Sequence, residues 1–222
     1  MSPTARLPLG LVLATTLVPV QAQADCPTRA DMANGVIVEL ATDAAGAASY
    51  EPDAISFRLL DDGNIVAFGI WWQGASFPTS YRITKHGFFD TLMWKDGDDS
   101  ASAITWDNIP AAILTAPVGT TSEYRSYLHL TDTILEYQSS TVVTQRKDTQ
   151  IGACTYDAVE LQTVYHASLG EGYVSSEYVY DTTYFPDLDF AVDKPLRVVR
   201  TMTIRKATAN DPVAPDDPPP LQ

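Results

Sequence analysis

The chain has 222 residues with 14 basic and 28 acidic side chains, a formal charge of −14. That charge repels phosphate backbones and anionic headgroups, so no nucleic acid and no acidic lipid surface is expected as a partner. Hydrophobic residues make up 45% and aromatic residues 10%, enough apolar material for a packed core and too much for a disordered chain.

The first segment reads as an export signal. Arg6 precedes an apolar run from Leu7 to Val20, and Ala22-Gln23-Ala24 has the small-x-small form of a signal-peptidase site. Residues 1–24 are therefore expected to be a signal peptide, cleaved near Ala24, leaving a periplasmic or secreted protein. The run is broken by Pro8, Gly10 and Pro19 and falls short of the roughly 20 residues a spanning helix needs. Asp25 stands before Cys26, where a lipid-modified cysteine needs a small uncharged neighbour. No stable membrane insertion is expected.

The chain has two cysteines, Cys26 and Cys154. In an oxidising compartment they are expected to pair as a disulfide. The chain-entropy model values closure of so long a loop at about 4–5 kcal/mol. A redox pair would sit closer together, as in a C-x-x-C motif, so the bond is read as structural.

Residues 25–206 are expected to form a single β-rich domain. Gly35–Leu40, with Val36, Ile37 and Val38, reads as a short apolar strand. Ala54–Leu60 and Ile65–Trp72 flank Asp61-Asp62-Gly63-Asn64, a hairpin signal. Ile65–Trp72 is apolar on both alternating sets, which predicts a strand covered on both faces. Further strands are expected at 81–84, 88–94, 123–130, 134–145, 156–166, 172–184 and 196–205. Several of these alternate apolar and polar residues, the mark of an antiparallel sheet with a solvated side. Ala101–Leu114 holds at most a short helix: Trp106, Ile109 and Ile113 have helical spacing, but Pro110 and Pro117 limit its length. Residues 207–222, with Pro218-Pro219-Pro220, read as a disordered acidic Pro-rich tail. The expected fold is all-β or β-dominated: a strongly curved antiparallel sheet, half-barrel or barrel-like, of about eight to eleven strands.

No catalytic residue can be nominated from motifs. There is no G-x-S-x-G, no S-x-x-K and no glycine-rich phosphate loop. Ser168 lies near His166, Gly170 and Gly172, but a hairpin turn accounts for that cluster. No pair among the 28 acids is singled out for glycosidase-type chemistry. His86, His129 and His166 are too widely spaced for a zinc motif. The acidic loops Asp61–Asn64 and Lys95–Ser100 carry carboxylates suited to calcium but lack the full EF-hand spacing, and turn chemistry explains them. No metal site and no cofactor is expected.

Aromatic residues are the remaining clue. Trp71, Trp72, Phe77, Tyr81, Phe88, Phe89 and Trp94 crowd one stretch of chain, as core or as the lining of an apolar cavity. On the cavity reading, Trp71, Trp72, Phe68 and Trp94 are the candidate ligand-binding residues. Trp71 and Trp72 point to opposite faces of a strand, so at most one of them lines a given side.

Tyr180-Asp181-Thr182-Thr183-Tyr184-Phe185-Pro186-Asp187-Leu188-Asp189-Phe190-Ala191-Val192 resembles a motif of exported bacterial proteins with a curved antiparallel sheet. In that motif a tyrosine precedes a Pro-x-Leu-Gly-Phe-x-Val turn near the chain end; here Asp189 replaces the glycine. The chain is similar in this to the periplasmic half-barrels of the LolA/LolB type. The resemblance implies a sheet wrapped round a helix or cavity, and an apolar ligand. Three functions follow as expectations. The first is a non-enzymatic binding or carrier module for an apolar small molecule. The others are an interaction or structural module meeting an envelope protein, and a hydrolase of envelope polymers.

Overall fold

The computed structural model describes residues 26–42, 53–70, 79–168, 176–194, 200–215 and 218–221. The strands are β1 (Val36–Thr42), β2 (Ala54–Leu59), β3 (Ile65–Ile70), β4 (Ser80–Lys85), β5 (Phe89–Lys95) and β6 (Ser102–Trp106). They continue with β7 (Thr121–Leu130), β8 (Thr133–Ile151), β9 (Cys154–Ser168), β10 (Ser176–Phe185), β11 (Phe190–Lys194) and β12 (Arg200–Lys206). Short 3-10 turns occupy Arg29–Ala33 and Ala111–Thr115. Among the described residues, no helix is long and apolar enough to cross a membrane.

All twelve described strands belong to one antiparallel sheet in the order β11-β10-β9-β8-β7-β6-β5-β4-β3-β2-β1-β12. The fold is thus β-dominated, as the alternation predicts. The strand count exceeds the expected range because β6 and β11, each of five residues, are too short for their alternation to stand out. The helical spacing over Ala101–Leu114 is realised only as the turn at Ala111–Thr115; upstream, Ile104, Thr105 and Trp106 pair with β7.

Chain connectivity forces the sheet to curl. β11 and β12 are its two outer strands, yet only five residues separate Lys194 from Arg200, a reach of about 20 Å. Twelve strands laid flat would span about 53 Å. The two ends therefore meet across the inner face. Phe57 on β2 stacks on Phe190 on β11, with ring centroids 4.2 Å apart. Ala191 N donates to Gly87 O in the β4–β5 turn at 3.1 Å, and Gly152 N in the β8–β9 turn donates to Met202 O on β12 at 3.1 Å. No ladder joins the ends among the described residues, so the sheet is not closed into a barrel, and packing and isolated contacts hold its ends together.

One end of the curl is filled solid. Val36, Val38, Phe57, Ile65, Ala67, Ile151, Tyr156, Phe185 and Phe190 form a core there. Cys26 is bonded to Cys154 beside it, and the Tyr156 hydroxyl donates to Pro27 O at 2.9 Å. Along β9 the buried set changes from Cys154, Tyr156 and Ala158 to Val159, Leu161 and Thr163. The change lies opposite a bulge between Val143 and Gln145, a device that re-aims a strand. Val159 and Leu161 of the second set pack with Phe89, Val143 and Tyr184 under the 3-10 turn of Ile113 and Leu114. Arg146 secures that turn: its Nη2 donates to Leu114 O at 2.7 Å and its Nε to Ala116 O at 2.8 Å.

The outer face of β1–β5 is also covered. Ile37, Val66, Phe68, Ile70, Leu92 and Trp94 pack there with Ala101 and Ala214. β3 is accordingly buried on both faces, as its doubly apolar pattern predicts. The cover is the segment after β12, which was expected to be a disordered tail. Arg205 holds it through paired bonds to Asp211, 2.8 Å from Nη1 and 2.7 Å from Nη2. Ala101 N donates to Pro220 O at 2.9 Å. Composition marked this stretch as unable to build a core of its own, and it builds none; it lies on one supplied by the sheet.

The Asp211 carboxyl is held well below the usual carboxylate range by its hydrogen bonds to Arg205 and the Thr208 turn. A lowered folded pKa stabilises the docked segment fully above about pH 4, the unfolded value, and loses that contribution as pH falls further. Amide hydrogen exchange over residues 208–214, corrected for the intrinsic pH dependence of exchange, is therefore expected to lose protection as pH drops below about 4. Asp211→Asn should show the same loss already at neutral pH. Unchanged protection in the variant would count against the tether.

Candidate functional site

Beyond the filled end, the inner face encloses a cavity of about 710 Å³. Its walls come from consecutive strands: Met93 from β5, Ile104 and Trp106 from β6, Leu128 from β7, Tyr137 from β8, Tyr165 from β9. Tyr178 and Tyr180 on β10 complete the aromatic side. Small side chains leave the space, with Ala67, Ser126, Ala167 and Ala191 set between the large ones. Below the tyrosines a buried hydroxyl row crosses three strands. The Tyr124 hydroxyl meets Thr141 Oγ1 at 2.7 Å, and Thr141 meets Thr163 Oγ1 at 2.7 Å. The row satisfies its own hydroxyls, which buried polar groups require.

Three charged side chains line this cavity among the described residues: Arg82, Asp90 and Asp193. Arg82 Nη1 lies 3.9 Å from Asp90 Oδ2 and 3.8 Å from Asp193 Oδ2. Arg82 and Asp90 are part-buried, their side chains keeping 40% and 28% of their exposure, and both line the cavity. Asp193 is oriented by Thr182, whose hydroxyl donates to Oδ1 at 2.9 Å. Trp106 Nε1 donates to the Asp90 backbone oxygen at 2.8 Å.

The electrostatics follow from this burial. Loss of water raises the Asp90 pKa, the Asp193 charge raises it further, and Arg82 opposes both. Asp90 in turn holds the Arg82 guanidinium firmly protonated. Burial pushes the Tyr165 phenol well above its ordinary value, and neighbouring Tyr124, Asp90 and Asp193 add to the shift. The Tyr165 phenol stays a neutral donor across the physiological range.

Of the four candidate ligand residues, the structure places Phe68 and Trp94 on the outer face, beneath the C-terminal segment. They are 5% and 6% exposed and do not reach the cavity, whose lining takes their neighbours Ala67 and Met93 instead. Trp71 and Trp72 lie outside the described residues. The acidic loops spend carboxylates on their own turns: Asp62 Oδ1 accepts from Asn64 N at 2.9 Å and Asp98 Oδ2 from Lys95 N at 2.7 Å. The histidines stay apart. His86 faces Asp189, His129 meets Thr105, and His166 faces Glu177. No cluster of metal-binding side chains occurs among the described residues.

Sequence reasoning missed Arg82, Asp90 and Asp193. The available signal was a charge set inside an apolar strand, as in Phe89-Asp90-Thr91-Leu92 and Phe190-Ala191-Val192-Asp193. Comparison with known protein families, characterised proteins and solved structures finds nothing that matches this chain.

The wall that carries Asp193 depends on one glycine. Gly87 has φ +57°, and a Cβ there would run into the backbone of Asp189 and Phe190. Gly87→Ala is expected to cost about 3 kcal/mol or more, from left-handed strain and displacement of β11 together. Urea denaturation measures it, and a loss below about 1 kcal/mol would show that β11 does not need this approach.

Proposed function

We propose that this chain is an exported, non-enzymatic binding or carrier module for an apolar small molecule. The observation that carries the reading is the cavity of about 710 Å³, walled by aromatic and aliphatic side chains from β5 to β10. Pockets for small ligands run to about 300–1,000 Å³, mostly apolar with a few placed polar groups. Ala22-Gln23-Ala24 and the Cys26–Cys154 bond support export to the periplasm or beyond.

The alternatives have less behind them. An interaction module would offer a free edge strand, but β11 has five residues and is pinned at Ala191 to Gly87. A hydrolase finds some support in Asp90 and Asp193, two acids on one cavity. A sugar polymer, however, calls for many hydroxyl and amide partners, and these walls supply chiefly rings and alkyl groups.

A neutral naphthylamine dye is expected to bind the mature protein at one equivalent and to quench or shift Trp106 emission. Ala167→Phe, which fills the lumen, should weaken that binding by about tenfold or more while circular dichroism stays unchanged. Native mass spectrometry of protein purified from its own host should show a co-purifying small molecule. A dye that ignores the filling substitution would place its site elsewhere and remove the support for this reading.

A further inference from the structure

We propose that the cavity selects an amphipathic organic cation, its ammonium head beside Asp90 and Asp193 and its apolar chain along the tyrosine wall. The proposal rests on the carrier reading above and adds the chemistry of the headgroup.

The charge balance of the lining is the first argument. Two carboxylates share one guanidinium among the described lining residues, at 3.9 and 3.8 Å. Both distances exceed hydrogen-bond contact, so Arg82 sits between the acids without a forked pair to either. It offsets one negative charge and leaves one over. Asp193 keeps 52% of its side-chain exposure, so that excess is accessible. Thr182 fixes its Oδ1, which sets the carboxylate in place before any ligand arrives.

The aromatic wall is the second, independent argument. Tyr137, Tyr165, Tyr178 and Tyr180 line the same cavity as the acids, and Tyr165 meets Tyr180 edge to face at 5.5 Å. A tyrosine face attracts a cation, more strongly where water is excluded. Tyr178 and Tyr180 remain about half exposed, at 47% and 44%, and so offer unoccupied ring surface.

Other headgroups fit less well. A carboxylate or sulfate would become the third anion around a single guanidinium, and that repulsion is weakly screened inside a protein. A neutral alcohol would leave the excess charge uncompensated. Burial and Asp193 both press Asp90 toward its neutral form, and a ligand cation would oppose that.

Calorimetric titration of the mature protein with dodecyltrimethylammonium, dodecanol and dodecanoate, each below its micelle threshold, tests the proposal. The cation is expected to bind about tenfold or more tighter than dodecanoate, with dodecanol between them. Asp193→Asn keeps an oxygen for the Thr182 hydroxyl and should weaken the cation about fivefold while moving dodecanol less than about twofold. Arg82→Gln should tighten the cation and weaken dodecanoate. If either variant fails to fold, added salt on the wild-type protein gives the same information, weakening the cation and sparing dodecanol. Dodecanoate binding tighter than the cation, or a cation affinity insensitive to Asp193→Asn or to salt, overturns the headgroup assignment, and dodecanol binding then leaves the carrier reading standing. Failure of all three amphiphiles to bind overturns both.

Discussion

The fold depends on one covalent constraint: the outermost strands of a twelve-strand sheet, β11 and β12, are joined by only five residues. A flat sheet cannot satisfy that link, so the strands curl until their ends meet. Curling creates the inside. A barrel of about eight strands is just filled by its own side chains, and wider ones leave a lumen. Here one end of the lumen is plugged by the core around Phe57, Phe190 and Tyr156. The remainder has no such plug, and the cavity is what the geometry leaves there.

Closure by contact instead of by a continuous ladder puts weight on a few side chains. Asp189 is the hub. It takes φ 56°, a left-handed turn that aspartate tolerates better than most residues. Its Oδ1 accepts from the Tyr184 hydroxyl at 2.7 Å, and its Oδ2 pairs with Arg29 at 2.6 Å. The β10–β11 turn is thereby tied to the N-terminal 3-10 turn, while Gly87 lets the β4–β5 turn approach from the other side. A carboxylate this buried is stable only because its charge and lone pairs are met.

What could be read from the sequence was local, and what could not was set by distance along the chain. Alternation in 123–130 and 134–145 is a property of neighbouring residues, and β7 and β8 lie over those stretches. The disulfide was legible because two cysteines leave one pairing. The Arg82, Asp90 and Asp193 group joins β4, β5 and β11, and no spacing rule connects strands so far apart. The C-terminal cover was hidden for another reason. Its prolines and acids are those of a solvated chain, and only Ala207, Ala214 and the Arg205–Asp211 pair reveal that it has a surface to lie on.

That cover also explains why Phe68, Tyr81 and Trp94 do not line the cavity. Along a strand, successive residues face opposite sides of the sheet, so bulk placed on one face is absent from the other. β3 sends Phe68 outward and Ala67 inward, and β5 sends Trp94 outward and Met93 inward. The outward rings need burial, and the segment after β12 supplies it. The inward positions of β3 and β5 are smaller, and most of the large rings that border the cavity come from β6, β8, β9 and β10, joined by Phe57 of β2 and Phe88 of the β4–β5 turn. Bulk on one wall and space on the other is the arrangement a lumen requires. Covering the outer face with the chain's own tail thus lets the sheet keep its largest apolar residues for stability without filling the space inside.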